Sequence, residues 1–168
     1  MNQNTNLVLV SFLEDQPEGE TFPRSRNNGW PFHITLVPWF GVLAQDKLDD
    51  ALDGVAKRWK TFMIEVGPEK MFGENLDVPV NVVKDQAIIK RLHDDLLTII
   101  LSAGQLLDPR WTGDNYHAHI TQHLGTKDNH QVGEAWTIDH LYLVKLLDDD
   151  HCQFLKKYPF GDSYETAA

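Results

Sequence analysis

The sequence predicts an α+β chain: two pseudo-symmetric, mainly antiparallel sheets that face each other across a central cleft, with helices outside. Three observations predict it. Short β-branched apolar runs, bounded by Gly, Pro and Asp, recur along the whole chain. Only two stretches carry apolar residues at helical spacing. A short repeated segment precedes the first of these stretches and recurs after the second, the pattern of an internal duplication.

Leu7 to Leu13 reads as a strand that runs into a polar loop, Glu14 to Gly29. Pro31 to Val37 is a second strand, closed by Pro38. Asp46 then caps a helix whose buried stripe is Leu48, Leu52, Val55 and Trp59. Thr61 to Val66 is a strand ended by Gly67-Pro68, and Leu76 to Val83 another, with Pro79 marking an edge or bulge. The second helix starts near Asp85. Its apolar face is Ile88, Ile89, Leu92, Leu96, Ile99 and Ile100, and Gly104 stands where a terminating glycine belongs. After a breaker-rich turn, Tyr116 to Leu124, Thr137 to Leu147 and Gln153 to Tyr158 complete the strands.

With 168 residues, 42% of them hydrophobic, the chain can build a core, so residues 1–168 are read as a single two-lobed domain and disorder is excluded. Lysine and arginine number 15 against 25 acidic residues, a net charge of −10. That charge repels phosphate backbones and anionic lipid, which argues against long duplex nucleic acid or a membrane as partner. No segment reaches the roughly 20 apolar residues that span a bilayer, and the first residues lack the pattern of a signal peptide. The lone Cys152 forms no internal disulfide. The expectation is a cytoplasmic monomer.

The chemistry lies in the repeat. Phe32-His33-Ile34-Thr35-Leu36 recurs as Ala118-His119-Ile120-Thr121-Gln122, with the histidines 86 positions apart. Side chains alternate along a strand, so each His shares a face with the Thr two residues on. Brought together, two imidazoles and two hydroxyls suit in-line displacement at phosphorus. One imidazole takes the proton of a nucleophile and the other protonates the leaving oxygen. The hydroxyls donate to the non-bridging oxygens. No cofactor and no metal is needed for these steps.

His33-Ile34-Thr35 and His119-Ile120-Thr121 resemble the paired His-x-Thr motifs of the two-histidine (2H) phosphoesterases, a superfamily of RNA 2′,3′-cyclic phosphodiesterases and 2′-5′ RNA ligase-like proteins. The resemblance implies a bilobal fold with the site between the lobes. It implies His33 and His119 as the catalytic pair, and Thr35 and Thr121 as the holders of the phosphate oxygens. The expected substrate is a small nucleotide or short RNA end bearing a 2′,3′-cyclic phosphate or a 2′-5′ linkage.

Other residues flank the motifs as candidate substrate contacts. Trp30 and Tyr116 could stack on a base, Arg24 and Arg26 could reach a phosphate, and His117 and His123 alternate onto the face of His119. Two rival readings stand beside the phosphoesterase. One is a module that binds nucleotide or RNA ends without turnover. The other is a zinc hydrolase using His117 and His119, although residues 117 and 123 lie roughly 20 Å apart on an extended strand, too far to share one ion.

Overall fold

The computed structural model describes residues 4–23, 30–123 and 129–161. In chain order its elements are β1 (Asn4–Phe12), β2 (Thr21–Pro23), β3 (His33–Val42), α1 (Gln45–Arg58), β4 (Phe62–Phe72), β5 (Val78–Val83), α2 (Ala87–Ala103), β6 (Gly104–Leu106), β7 (His119–Thr121), β8 (Ala135–Ile138), β9 (His140–Asp148) and β10 (His151–Pro159). Between β6 and β7 lie two single 3-10 turns, Pro109–Trp111 and Gly113–Asn115.

The strands form one curled sheet of ten in the order β2-β10-β9-β1-β3-β7-β5-β4-β8, with β6 also on β3. All of its pairings are antiparallel. The α+β class therefore holds, but the expectation of two separate sheets facing across a cleft is corrected. The two halves join edge to edge at β3 and β7, where Ile34 pairs with Ile120. The two isoleucines are buried there on the helix side, and the joining spares each half an open edge at the repeat.

The two faces are covered differently. Strand alternation sends Leu7, Leu9, Ile34, Leu36 and Phe40 to one face, where they pack with Leu48, Leu52 and Val55 of α1 and Ile89, Leu92, Leu96 and Ile100 of α2. Trp59 ties the helices together, its indole N–H donating to Asp95 at 2.8 Å. The opposite face carries a smaller aromatic cluster of Val10, Phe12, Phe22, Tyr142 and Phe154, with Trp30 and Trp39 at its margin. No described helix is long and apolar enough to cross a membrane.

Several element ends differ from the sequence reading, and backbone hydrogen bonding explains each. β3 continues past Pro38 because the register slips there, from Leu9↔Val37 to Leu7↔Phe40. The extra residue forms a bulge, in which proline's missing N–H costs no ladder bond. β4 likewise runs through Gly67-Pro68, between the pairs Val66↔Val83 and Glu69↔Asn81. A Cβ on Gly67 would stand 2.5 Å from the Val82 carbonyl oxygen, so this bulge requires glycine.

Asp46 lies inside the first turn of α1 rather than capping it, the cap position being Ala44. There its charge still complements the helix dipole. α2 starts close to Asp85, with Gln86 at its cap position and the Asp85 carboxylate accepting from the Ala87 N–H at 3.0 Å. Gly104 follows α2 in extended backbone. Its lack of a Cβ serves the close approach to Gly41 of β3. The strand expected over 137–147 breaks at Asp139 into β8 and β9, and β7 is limited to three residues.

Leu92 is fully buried between α2 and the sheet. Leu92→Ala is expected to lower unfolding free energy by about 2–5 kcal/mol, read as a lower midpoint in urea with an unchanged slope.

Candidate active site

The repeat assembles through one backbone pairing. With Ile34 opposite Ile120 in an antiparallel ladder, His33 stands opposite Thr121 and Thr35 opposite His119. The two motifs are thus related by a local twofold axis through the Ile34–Ile120 pair. Both isoleucines are buried against the helices, which sends all four functional side chains to the other face. The histidines are diagonal neighbours, with Cα atoms roughly 7–8 Å apart. All four side chains are half-buried, shielded yet reachable from solvent.

Each imidazole is oriented in the same way. His33 Nδ1 lies 2.8 Å from the Pro31 carbonyl oxygen, and His119 Nδ1 lies 2.8 Å from that of His117. A carbonyl only accepts, so Nδ1 carries the proton in both rings. In the neutral form each Nε2 therefore presents its lone pair, and in the charged form an N–H. The two motifs match in sequence and also in tautomer.

Burial governs their protonation. Desolvation beside Trp30 and Phe12 lowers the His33 pKa to about 4; the Pro31 carbonyl opposes it, while the charges of His119 and His123 add to it. His119 is lowered chiefly by desolvation as well, with its bond to the His117 carbonyl opposing. Both rings are therefore neutral at pH 7 when the site is empty.

The flanking candidates take different places. Trp30 leans over His33, with ring centroids 4.8 Å apart at 38°. Tyr116 does not face a ligand: it is buried, its ring stacks on His93 at 3.9 Å, and its hydroxyl donates to the Thr35 carbonyl at 2.7 Å. It braces β3 from behind, and burial raises its hydroxyl pKa.

His123 stacks on Phe32 at 3.9 Å, and its Nε2 donates to the Trp30 carbonyl at 2.9 Å. It holds the turn that orients His33. His117 is exposed and contributes its carbonyl to His119. Arg24 and Arg26 lie outside the described residues. Among the described residues no three His, Cys, Asp or Glu side chains converge where they could hold a metal ion.

Three neighbours escaped the sequence reading. Phe72, at the end of β4, sets its ring edge-to-face with His119, centroids 4.8 Å apart. Lys70 aligns with Val80 and Thr121 across three strands, so it shares their face at roughly 10 Å, two strand spacings, from Thr121. Both were hidden by ending the strand at Gly67-Pro68. His93 is fully buried, its Nδ1 donating to the Leu36 carbonyl at 2.6 Å and its Nε2 accepting from the Gly113 N–H at 3.0 Å.

A separate cavity of about 280 Å³ is lined by Phe12, Asp15, Asp139, His140 and Lys157 among others. Its histidine has no free ring nitrogen: His140 Nε2 accepts from the Phe12 N–H and Nδ1 donates to Asp139. The lysine is paired with Asp15 at 2.7 Å. The paired motifs remain the better equipped site.

The sequence profile of the 2′-5′ RNA ligase superfamily matches residues 19–150. Among solved structures, one described as a phosphoesterase superposes with a TM-score of 0.58 at 15% identity, covering 94% of this chain and 98% of that one. E. coli LigT complexed with 3′-AMP gives 0.57 at 16% identity, with coverage of 93% and 98%. Kluyveromyces marxianus Usb1 gives 0.51 at 10%, with coverage of 94% and 98%. At these identities the structural likeness is one of fold. A comparison with curated proteins finds no match.

The lowered histidines carry a stability prediction. An unfolded histidine binds its proton near pH 6.5, whereas folded His33 binds it only near 4. His119 and His93 shift in the same direction. The unfolded state therefore binds more protons between these limits, and stability present above pH 6.5 is lost as pH falls towards 4. Denaturant midpoints at pH 7.5, 6 and 4.5 should fall in that order, and His33→Asn should flatten the fall.

Proposed function

The chain belongs to the 2′-5′ RNA ligase superfamily, and from that premise we propose that it is a phosphoesterase acting on RNA-type 2′,3′-cyclic phosphates or 2′-5′ phosphodiester linkages. The observation that carries the reading is the matched orientation of His33 and His119. Each has Nδ1 engaged by the carbonyl two residues back, and each stands diagonally across the same strand pair. That leaves two Nε2 atoms of identical tautomer to serve one phosphorus from opposite sides. The structures of LigT with 3′-AMP, ATP and NADP+ support a nucleotide ligand by analogy.

The mechanism follows from the proton positions. The neutral Nε2 of one imidazole accepts the proton of the attacking oxygen, water for a cyclic phosphate. The Nε2–H of the other, protonated, ring donates to the departing ribose oxygen. Thr35 and Thr121 donate their hydroxyls to the non-bridging oxygens as negative charge concentrates there.

Because burial disfavours imidazolium in the empty site, the anionic phosphate itself raises the pKa of the ring that must be charged. Substrate thereby recruits the catalytic proton. Proton transfer of this kind runs without a metal ion, and the acidic chain favours a mononucleotide or short RNA end over long duplex. Ligation is the same displacement run backwards.

His33→Ala and His119→Ala should each lower kcat/KM on 2′,3′-cyclic AMP by about 10²–10⁴ while the far-UV spectrum is kept. Turnover that survives either change, or that a chelator abolishes in the unaltered protein, contradicts the mechanism. Thr35→Val and Thr121→Val should cost about 10²–10³ in kcat. The pH profile of kcat/KM reports the free protein and should be a bell with its maximum below pH 6.5, because both pKa values are lowered. The kcat profile, set by the occupied site, should lie at higher pH. A kcat/KM maximum above pH 7 would contradict the assigned protonation.

A further inference from the structure

One buried titratable side chain takes no part in the proton transfers above. His93 on α2 is fully buried, and each of its ring nitrogens bonds a different stretch of main chain. Nδ1–H donates to the carbonyl of Leu36, the residue after Thr35. Nε2 accepts from the Gly113 N–H, in the turn that leads through Tyr116 to β7. One imidazole therefore joins the two histidine-threonine segments from the helix side. Burial lowers its pKa, with the Leu36 carbonyl opposing, so the ring keeps the neutral form that both bonds require.

Leu36 is an irregular point of β3. The ladder with β1 steps from Val10↔Thr35 to Leu9↔Val37 and skips it. Leu36 and Val37 both pack into the helix-side core, the doubled step of a bulge. On its other edge β3 pairs with β7 at Ile34 and with β6 from Phe40 onward. Between those pairs no described strand covers Thr35 and Leu36. Two side chains take their carbonyls instead: the Tyr116 hydroxyl donates to Thr35 at 2.7 Å, and His93 donates to Leu36 at 2.6 Å. The two rings stack on each other, with centroids 3.9 Å apart and planes 3° from parallel.

A bulge re-aims the side chain beside it, and beside this one stands the Thr35 hydroxyl. Resting on the phosphoesterase reading, we infer that His93 is a positioning residue for Thr35. By fixing the Leu36 bulge, with Tyr116 stacked against it, His93 aims the threonine hydroxyl at the non-bridging oxygen. It touches no substrate and moves no proton. Its effect reaches the reaction through one hydroxyl on the other face of β3, where a displacement of about 1 Å costs up to about 10²-fold.

The test is a double-mutant cycle on kcat with 2′,3′-cyclic AMP, in variants whose far-UV spectrum and urea transition show a folded chain. A side-chain amide can replace either ring nitrogen: asparagine reaches the place of Nδ1, and glutamine that of Nε2. His93→Gln loses the Leu36 bond and should lower kcat by about 10–100-fold with little change in KM. His93→Asn keeps that bond and should restore most of kcat. In a Thr35→Val background, His93→Gln should cost less than about 2-fold, because the group it positions is gone.

An equal loss with and without the Thr35 hydroxyl marks a merely structural role and overturns the inference. Full kcat in folded His93→Gln overturns it too. If neither His93 variant folds, Tyr116→Phe decides the case. It deletes one bond to the same pair of carbonyls and should show the same dependence on Thr35, so undiminished kcat there counts against the inference. Should the unaltered protein leave the cyclic nucleotide intact, the phosphoesterase reading fails and the hydroxyl serves binding alone. The same cycle, read on the dissociation constant of 3′-AMP, then decides whether His93 acts through Thr35.

Discussion

One short backbone contact, Ile34 against Ile120, governs the placement of every group in the site. β7 is only three residues long, and its register is set from two sides, by β3 and by Val80, Asn81 and Val82 of β5. Because side chains alternate, a slip of β7 by one residue would bury His119 and Thr121 against the helices and turn Ile120 outward. The burial of Ile120 opposes that slip, so the hydrophobic effect on one face fixes where the imidazole and hydroxyl stand on the other. Tyr116 adds a polar lock, pinning the Thr35 carbonyl from behind.

Electrostatics complements this geometry. In a chain of net charge −10, several lysines pair with nearby carboxylates, as at Lys57–Asp53, Lys90–Asp94 and Lys156–Asp49. At the site itself burial disfavours the charged form of both imidazoles. In the proposed mechanism the site's charge is thereby coupled to occupancy by an anionic ligand.

Much of this was legible in the sequence. The His-x-Thr repeat marked four residues that the fold brings together, and helical periodicity located α1 and α2 within a few residues. Prolines misled because Pro38 and Pro68 were read as strand ends, whereas bulges absorb them. That error hid Phe72 and Lys70, which stand beyond the second bulge.

Tyr116 was read as a ligand contact because it adjoins a motif, yet it alternates onto the buried face with Ala118 and Ile120, and its ring turns inward onto His93. The very short strands β2 and β6 have too few residues for any periodicity. That the halves merge in one sheet was also invisible, since pairing partners 86 positions apart leave no local trace.

The way each imidazole is held has a further consequence. Many histidines that work as acids or bases borrow a carboxylate from elsewhere in the chain to fix their tautomer. Here each ring leans on the main chain of its own segment, two positions upstream. Each ring of the proposed catalytic pair thus takes its tautomer from its own segment. Substitutions in the rims and hairpin tips that spare the main chain at Pro31 and His117 leave these two bonds in place, whichever ligand the proposed site takes.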